Sequence, residues 1–320
     1  MGTINSATTA NFNSPGEQLE YLTDYSPKDR PWDLHRAQAQ VVEGLYSGTL
    51  YDRLAERIHN CTGFLGFGWE TDSNTGEANL KLLEAHFCRV RHCPVCQWRR
   101  SLMWQARFLK AFPVVQQQYP TSRWIFLTLT VRNCAITDLR NTIQGMNRAW
   151  NRFVQRQEFA DNVQGWIRST EVTRGQNRSA HPHFHCLLMV RPGYFGRPYV
   201  TQARWTELWR EAARLDYTPI VDVRTVKDRR GSGEPIRGAI AETLKYSIKP
   251  DDLLDREWLL EITSQVFRLR FIATGGVLRG ILRELEESDE DLMLLGEGGD
   301  SGDPELFFEW RRRIQRYVRL

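Results

Sequence analysis

His181-Pro-His-Phe-His-Cys-Leu-Leu-Met-Val190 sets three histidines at alternate positions ahead of an unbroken apolar run. Alternation is the period of a β-strand, and on a strand His181, His183 and His185 share one face. Just upstream, Gly165–Thr173 reads as a second strand, and the polar segment 174–180, with Gly175 and Asn177, as the loop between them. With a loop of that length, residue 173 faces 181 and residue 171 faces 183. Glu171 then stands cross-strand from His183. Two imidazoles and one carboxylate with open positions suit Mg²⁺ or Mn²⁺ engaged by phosphate oxygens, and zinc would also bind.

Working outward, Trp124–Val131 is β-rich and bounded by polar residues, which predicts another strand. Asp138–Phe159 carries Leu139, Ile143, Met146, Trp150 and Phe153 at helical spacing, with Thr137 as N-cap. Thr201–Leu215 is a helix with a Trp205, Leu208, Trp209 stripe, and Ile220–Val226 a fourth strand. The order β-α-β-β-α-β is the split βαβ, ferredoxin-like arrangement, so the fold class is α+β with an antiparallel sheet at residues 121–250. Residues 33–120 read as an N-terminal helical, metal-binding region, with helices over 33–60 and over Gln97 to Phe112. Gly238–Ile248 is a helix closed by Pro250. The C-terminal helices at 251–287 comprise Trp258–Phe271 and Leu278–Glu287, with a turn at Gly275-Gly276. Residues 1–32 are expected to form a flexible tail, 288–304 an acidic flexible linker, and 305–320 a terminal helix rich in aromatics and arginine.

Hydrophobic content of 41% and charged content of 26% are those of an ordinary soluble protein. No run of about 18 apolar residues and no export signal is found, so no membrane partner is expected and the reading is cytoplasmic. The net charge of +4 hides an asymmetry. Eleven acids and no Lys or Arg fall between Glu284 and Glu309, leaving 43 Lys and Arg against 28 acids elsewhere. Between Glu84 and Asp138 there is no acid at all, while Arg89, Arg91, Arg99, Arg100, Arg107, Lys110, Arg123 and Arg132 occur. A body this basic attracts polyanions, nucleic acid first. The acidic stretch reads as a solvated linker, with an internal mimic of DNA as the alternative.

Cysteines crowd at Cys88-x4-Cys93-x2-Cys96, with Pro94 shaping the last turn. In a chain without an export signal this favours metal ligation over disulfides. Cys61 is the best fourth candidate for a tetrahedral four-thiolate zinc site, with His86 and His92 as alternatives. Cys134 and Cys186 read as packed core residues.

Glu242 and Tyr246 are spaced i, i+4, one helical turn apart, with Lys245 and Lys249 beside them. A phenol is a modest nucleophile, and a divalent ion polarising a phosphate would let it attack phosphorus. Phe126-Leu-Thr-Leu-Thr130, Glu171-Val-Thr173, His181-Pro-His-Phe-His185 and Glu242-x-x-x-Tyr246-x-x-Lys249 occur in that order. Together they resemble the rolling-circle replication initiators of small bacterial plasmids, within the HUH endonuclease superfamily, over roughly residues 60–280. The resemblance implies that His183 and His185 coordinate the metal while His181 stands outside the pair. It implies that Tyr246 nicks one origin strand, keeps the 5′-phosphate and frees a 3′-OH for the polymerase. Glu242 would then activate a water in termination, Lys249 would belong to the catalytic motif, and a host helicase would be a partner. The family shows a similar Cys-x-Arg-x-Cys-Pro-x-Cys pattern, and Arg91, Arg99, Arg100 and Lys245 are the expected DNA contacts, in a bacterial cytoplasm. Two other readings remain: a single-strand transposase of the same superfamily, and a non-catalytic, zinc-containing DNA-binding regulator.

Overall fold

In the computed structural model, residues 19–71, 76–227, 234–245, 247–282, 292–293 and 303–320 are described. The N-terminal part holds α1 (Leu22–Tyr25), α2 (Arg30–Tyr46), α3 (Asp52–His59) and a hairpin of β1 (Phe64–Thr71) and β2 (Ala78–Ala85). A long helix, α4 (Pro94–Gln118), leads into β3 (Arg123–Thr130), α5 (Leu139–Phe153), α6 (Gln157–Asn162), β4 (Val163–Arg174), β5 (Ala180–Val190), α7 (Gln202–Ala213) and β6 (Val221–Val226). Then come α8 (Glu234–Thr243), α9 (Arg256–Gln265), β7 (Ile272–Gly276) and α10 (Val277–Ile281), and a closing hairpin of β8 (Leu306–Arg311) and β9 (Arg316–Arg319).

Five strands form an antiparallel sheet in the order β6-β3-β5-β4-β7. Without β7 this is the ferredoxin-like order, so the α+β split βαβ expectation holds. Alternation along β5 divides the core in two. Phe184, Cys186, Leu188 and Val190 meet α5 and α7 on one face. Leu187 and Met189 meet α4, α8 and α10 on the other. On α5, Leu139, Ile143, Met146, Trp150 and Phe153 are all buried, as their spacing requires. The Thr201 hydroxyl caps α7 by accepting from the Arg204 amide at 3.2 Å, and the buried Trp209 indole donates to the Thr130 carbonyl at 2.8 Å. Each large apolar side chain buried this way stabilises the fold by roughly 1.5–3 kcal/mol.

A second sheet, β2-β1-β8-β9, joins the two ends of the chain. This corrects the terminal helix expected at 305–320. Phe308, Trp310 and Tyr317 alternate inward on the hairpin, and the arginines read as a helix face occupy its tip and outer face. Residues 19–32 are not part of the flexible tail expected over 1–32. The Arg319 amide bonds the Glu20 carbonyl, Leu22 and Trp32 are buried, and α2 begins at Arg30. Residues 1–18 lie outside the described residues, as do most of 288–304. Leu292 in that acidic stretch is nonetheless fully buried, so this point of it is docked rather than a free linker.

Smaller differences follow the packing. The helix expected over 33–60 is two helices, and that over 138–159 breaks between α5 and α6. The helix expected to stop at Phe112 runs through Pro113, because Phe108, Phe112 and Val115 keep packing in one cluster with Trp124. The turn read at Gly275-Gly276 is part of an edge strand. A Cβ on Gly275 would lie 2.2 Å from the Trp166 ring, and Gly276 has a φ of +58°, so both positions need glycine.

Candidate metal centre and the loop beside it

The strand register matches the arithmetic from the sequence: Glu171 pairs with His183 and Thr173 with His181. Side chains on paired residues share a face, so Glu171, His183 and His185 converge. One carboxylate oxygen, Glu171 Oε2, lies 3.2 Å from His183 Nε2 and 2.8 Å from His185 Nε2. All three side chains are buried. Burial alone would raise the Glu171 pKa, but the hydrogen bonds from His183 and His185 and the nearby Lys245 charge hold it well below the usual carboxylate range.

The far nitrogens fix the rings. His185 Nδ1 lies 3.3 Å from the Thr128 hydroxyl, and His183 Nδ1 lies 3.2 Å from the His181 carbonyl. Phe126 stacks on His185 with ring centroids 5.5 Å apart. Outer partners on Nδ1 with Nε2 turned inward are what a metal-binding imidazole pair requires. His181 lies outside the trio, its Nδ1 2.7 Å from Asn133 Oδ1. The donor set therefore fits a divalent ion held by Glu171, His183 and His185. Thr128 and Phe126 belong to the Phe-Leu-Thr-Leu-Thr stretch, but strand pairing was needed to aim them at His185.

Lys245 bridges this trio to α8. Its Nζ is 3.1 Å from Glu171 Oε2 and 2.7 Å from Glu242 Oε1. Although burial lowers its pKa, the contacts with Glu242 and Glu171 raise it overall, so the ammonium stays charged. Glu242 is exposed in the last turn of α8, and Lys249 is exposed beyond the loop. The helix expected to reach Ile248 ends at Thr243, and Tyr246 lies outside the described residues.

The flanks of that position are tied down on two sides. Ser101 of α4 donates to the Leu244 carbonyl at 2.5 Å, and Ser247 Oγ lies 3.1 Å from Gln97 Oε1. From β4, Ser169 donates to the Thr243 carbonyl, and the Val172 amide bonds the Ser247 carbonyl at 2.9 Å. None of these four side chains stood out in the sequence, because Ser and Gln carry no spacing signal of their own.

The first turn of α4 also carries Cys93 at its N-cap and Cys96 inside it. Cys61, Cys88, Cys93 and Cys96 are buried together, with Sγ–Sγ distances of 3.6 Å for Cys61–Cys96 and Cys88–Cys96 and 3.7 Å for Cys61–Cys93. A tetrahedron with metal–sulfur bonds of about 2.3 Å has edges close to these, so the set fits zinc. Thiol donors from Cys88, Cys93 and Cys96 hold the Cys61 pKa far down, while burial pushes Cys93 up. Cys61 is thus the fourth member. His92 instead bonds the Tyr46 hydroxyl and Thr263, both at 3.1 Å, and His86 is exposed.

Of the four expected DNA contacts, Arg91, Arg100 and Lys245 line one cavity. Arg99 does not. It is 6% exposed, its guanidinium lies over Trp32 and Trp98, and its Nε donates to the Leu292 carbonyl at 2.7 Å. A side chain spent inside the fold is removed from the nucleic-acid surface. Among the described residues no helix is long and apolar enough to cross a membrane.

A sequence model of a replication-protein family matches residues 79–318. A curated protein named "Protein rep" from Bacillus amyloliquefaciens is 35% identical, over 92% of this chain and 93% of its own length. Another "Protein rep", from Streptococcus pneumoniae serotype 2 (strain D39), is 32% identical over 91% of this chain and 92% of its own. A "Replication protein" from Staphylococcus aureus is 32% identical over 64% of this chain and 94% of its own. No solved structure matches the chain.

Proposed function

The chain belongs to the replication-protein family, and from that premise we propose that it initiates plasmid rolling-circle replication by nicking one origin strand through Tyr246. The Tyr246 phenol releases its proton to solvent as its oxygen attacks the scissile phosphorus and forms the P–O bond. The bond from phosphorus to the 3′-oxygen breaks, and that oxygen takes a proton to become the 3′-OH primer. The 5′-phosphate stays on the tyrosine. Mg²⁺ or Mn²⁺, when bound by Glu171, His183 and His185, supplies the Lewis acid that draws charge from the phosphate. Lys245, held between Glu171 and Glu242, places a second positive charge beside the developing oxyanion.

In termination Glu242 takes a proton from a water that cuts the regenerated origin, and strand joining follows. Its exposure and position beside Lys245 support that role. Lys249 contacts the DNA backbone. The four-thiolate cluster holds a structural zinc. The 3′-OH passes to a host polymerase, a host helicase opens the duplex, and these events belong in the bacterial cytoplasm.

The observation that carries the reading is the convergence of two imidazole Nε2 atoms and one carboxylate beside a loop anchored on both flanks. The test is nicking of supercoiled plasmid bearing the chain's own origin. With Mg²⁺ or Mn²⁺ the wild type relaxes it at one site, and a His183→Ala/His185→Ala protein that keeps its zinc does not. Unchanged nicking by that double variant would sink the assignment.

A further inference from the structure

A cavity of about 440 Å³ opens beside the anchored loop, a size within the usual range of small-ligand sites. Arg89 and Arg91, from the turn between Cys88 and Cys93, share its wall with Arg100, Lys245 and Arg270. Five cations and no acid line it among the described residues, so it attracts an anion. Trp104 of α4 supplies a half-buried indole on the same wall, with the Arg107 guanidinium 5.4 Å from its ring centroid.

Gln97 gives the cavity a second character. The residue is 4% exposed, and its Oε1 pairs with the Ser247 hydroxyl. Its Nε2 is buried with no hydrogen-bond partner among the described residues. An orphaned donor of this kind is unfavourable in a folded chain unless something else takes its hydrogen. Cations, an indole and an unpaired amide donor around one space together fit a nucleotide: a phosphate, a stacking ring and an acceptor on the base edge.

We propose that this cavity takes one unpaired nucleotide of the single strand, adjacent to the scissile phosphate. Its phosphate faces Arg100, Arg270 and Lys245, its base lies against Trp104, and a base acceptor takes the Gln97 amide hydrogen. The proposal rests on the nicking reading, because the loop flanking position 246 forms part of the wall. It gives the protein a base preference at one position of the cut strand. It also gives the cysteine cluster a task, which is to hold Arg89 and Arg91 at the edge of that pocket.

The test is binding, separate from cleavage. Fluorescent single-stranded 20-mers from the cut strand of the chain's own origin are titrated without divalent metal, with each position in turn made abasic. One position is expected to stand out, with a loss of about tenfold in affinity. That loss should shrink to near onefold in Gln97→Ala and in Trp104→Leu, each checked for intact zinc content and melting temperature. An abasic profile with no such position, or one unchanged in both variants, overturns the pocket. If the position effect appears but the wild type never cuts the same 20-mers with Mn²⁺, the pocket stands and the nicking reading fails. Cutting without any position effect fails the pocket alone.

Discussion

Arg99 and Arg100 are neighbours in sequence with opposite fates. Arg99 is enclosed by Trp32, Trp98 and the Leu292 carbonyl, whereas Arg100 lines the cationic cavity. Arg99→Ala should therefore lower stability by about 3 kcal/mol, through a lost desolvated cation–π contact and an unmet carbonyl, read in a denaturant titration. Arg100→Ala should leave the unfolding midpoint nearly unchanged, but weaken single-strand binding and flatten its salt dependence. His35 gives a pH signature. It is buried and stacked on Trp98, and burial lowers its pKa to about 4. Because the folded value lies below the ordinary one near 6.5, the unfolded chain binds the proton first on acidification. The His35 contribution to stability is fully present above pH 6.5 and is lost as pH drops toward 4, by up to about 1.4 kcal/mol per pH unit. His35→Gln should flatten that slope in pH-dependent melting. Residue-scale reading of the sequence found Glu171, since strand period and loop length fix a cross-strand partner. It could not separate Arg99 from Arg100, because the contacts that bury Arg99 come from residues 32 and 292.

At the scale of elements, the four cysteines and the loop at 244–247 are joined by α4. Cys93 and Cys96 start that helix, and one and two turns on, Gln97 and Ser101 reach the residues flanking position 246. Cys93→Ser should thus do more than remove zinc, measured as a fall from about one equivalent per chain. Loss of a structural metal destabilises such a domain strongly. The variant should also slow cleavage when assayed below its own melting temperature; normal zinc content would refute the four-thiolate site. The apolar faces of α5 and α7 were legible residue by residue, although the end of α5 was not. The hairpin of β1 and β2 was missed, since Gly66, Gly68 and the irregularity between Gly66 and Phe67 mask the alternation of Leu65 and Phe67 with Leu80 and Leu82. The closing hairpin was misread because arginines at Arg311–Arg313 and Arg316 imitate a charged helix face.

For the whole molecule, the pairing of β1 with β8 matters most. It returns the last residues to the N-terminal half, so the chain does not divide into the successive segments that its composition suggests. Cutting at Ser288 would remove two strands and the core side chains Phe308, Trp310 and Tyr317 along with the acidic stretch. Pairing between strands more than two hundred residues apart leaves no local trace in a sequence. The ferredoxin-like sheet was legible because its elements are consecutive and its order follows from connection rules. The central proposal is attack on DNA by Tyr246, served by the metal-binding set of Glu171, His183 and His185. The most direct measurement mixes the protein with labelled single-stranded DNA from its own origin and Mn²⁺, and looks for a covalent adduct on a denaturing gel. The account predicts a shifted, label-bearing protein band that disappears with Tyr246→Phe and with EDTA. A band that persists in Tyr246→Phe, or no band at all from a folded protein that binds the strand, would contradict it.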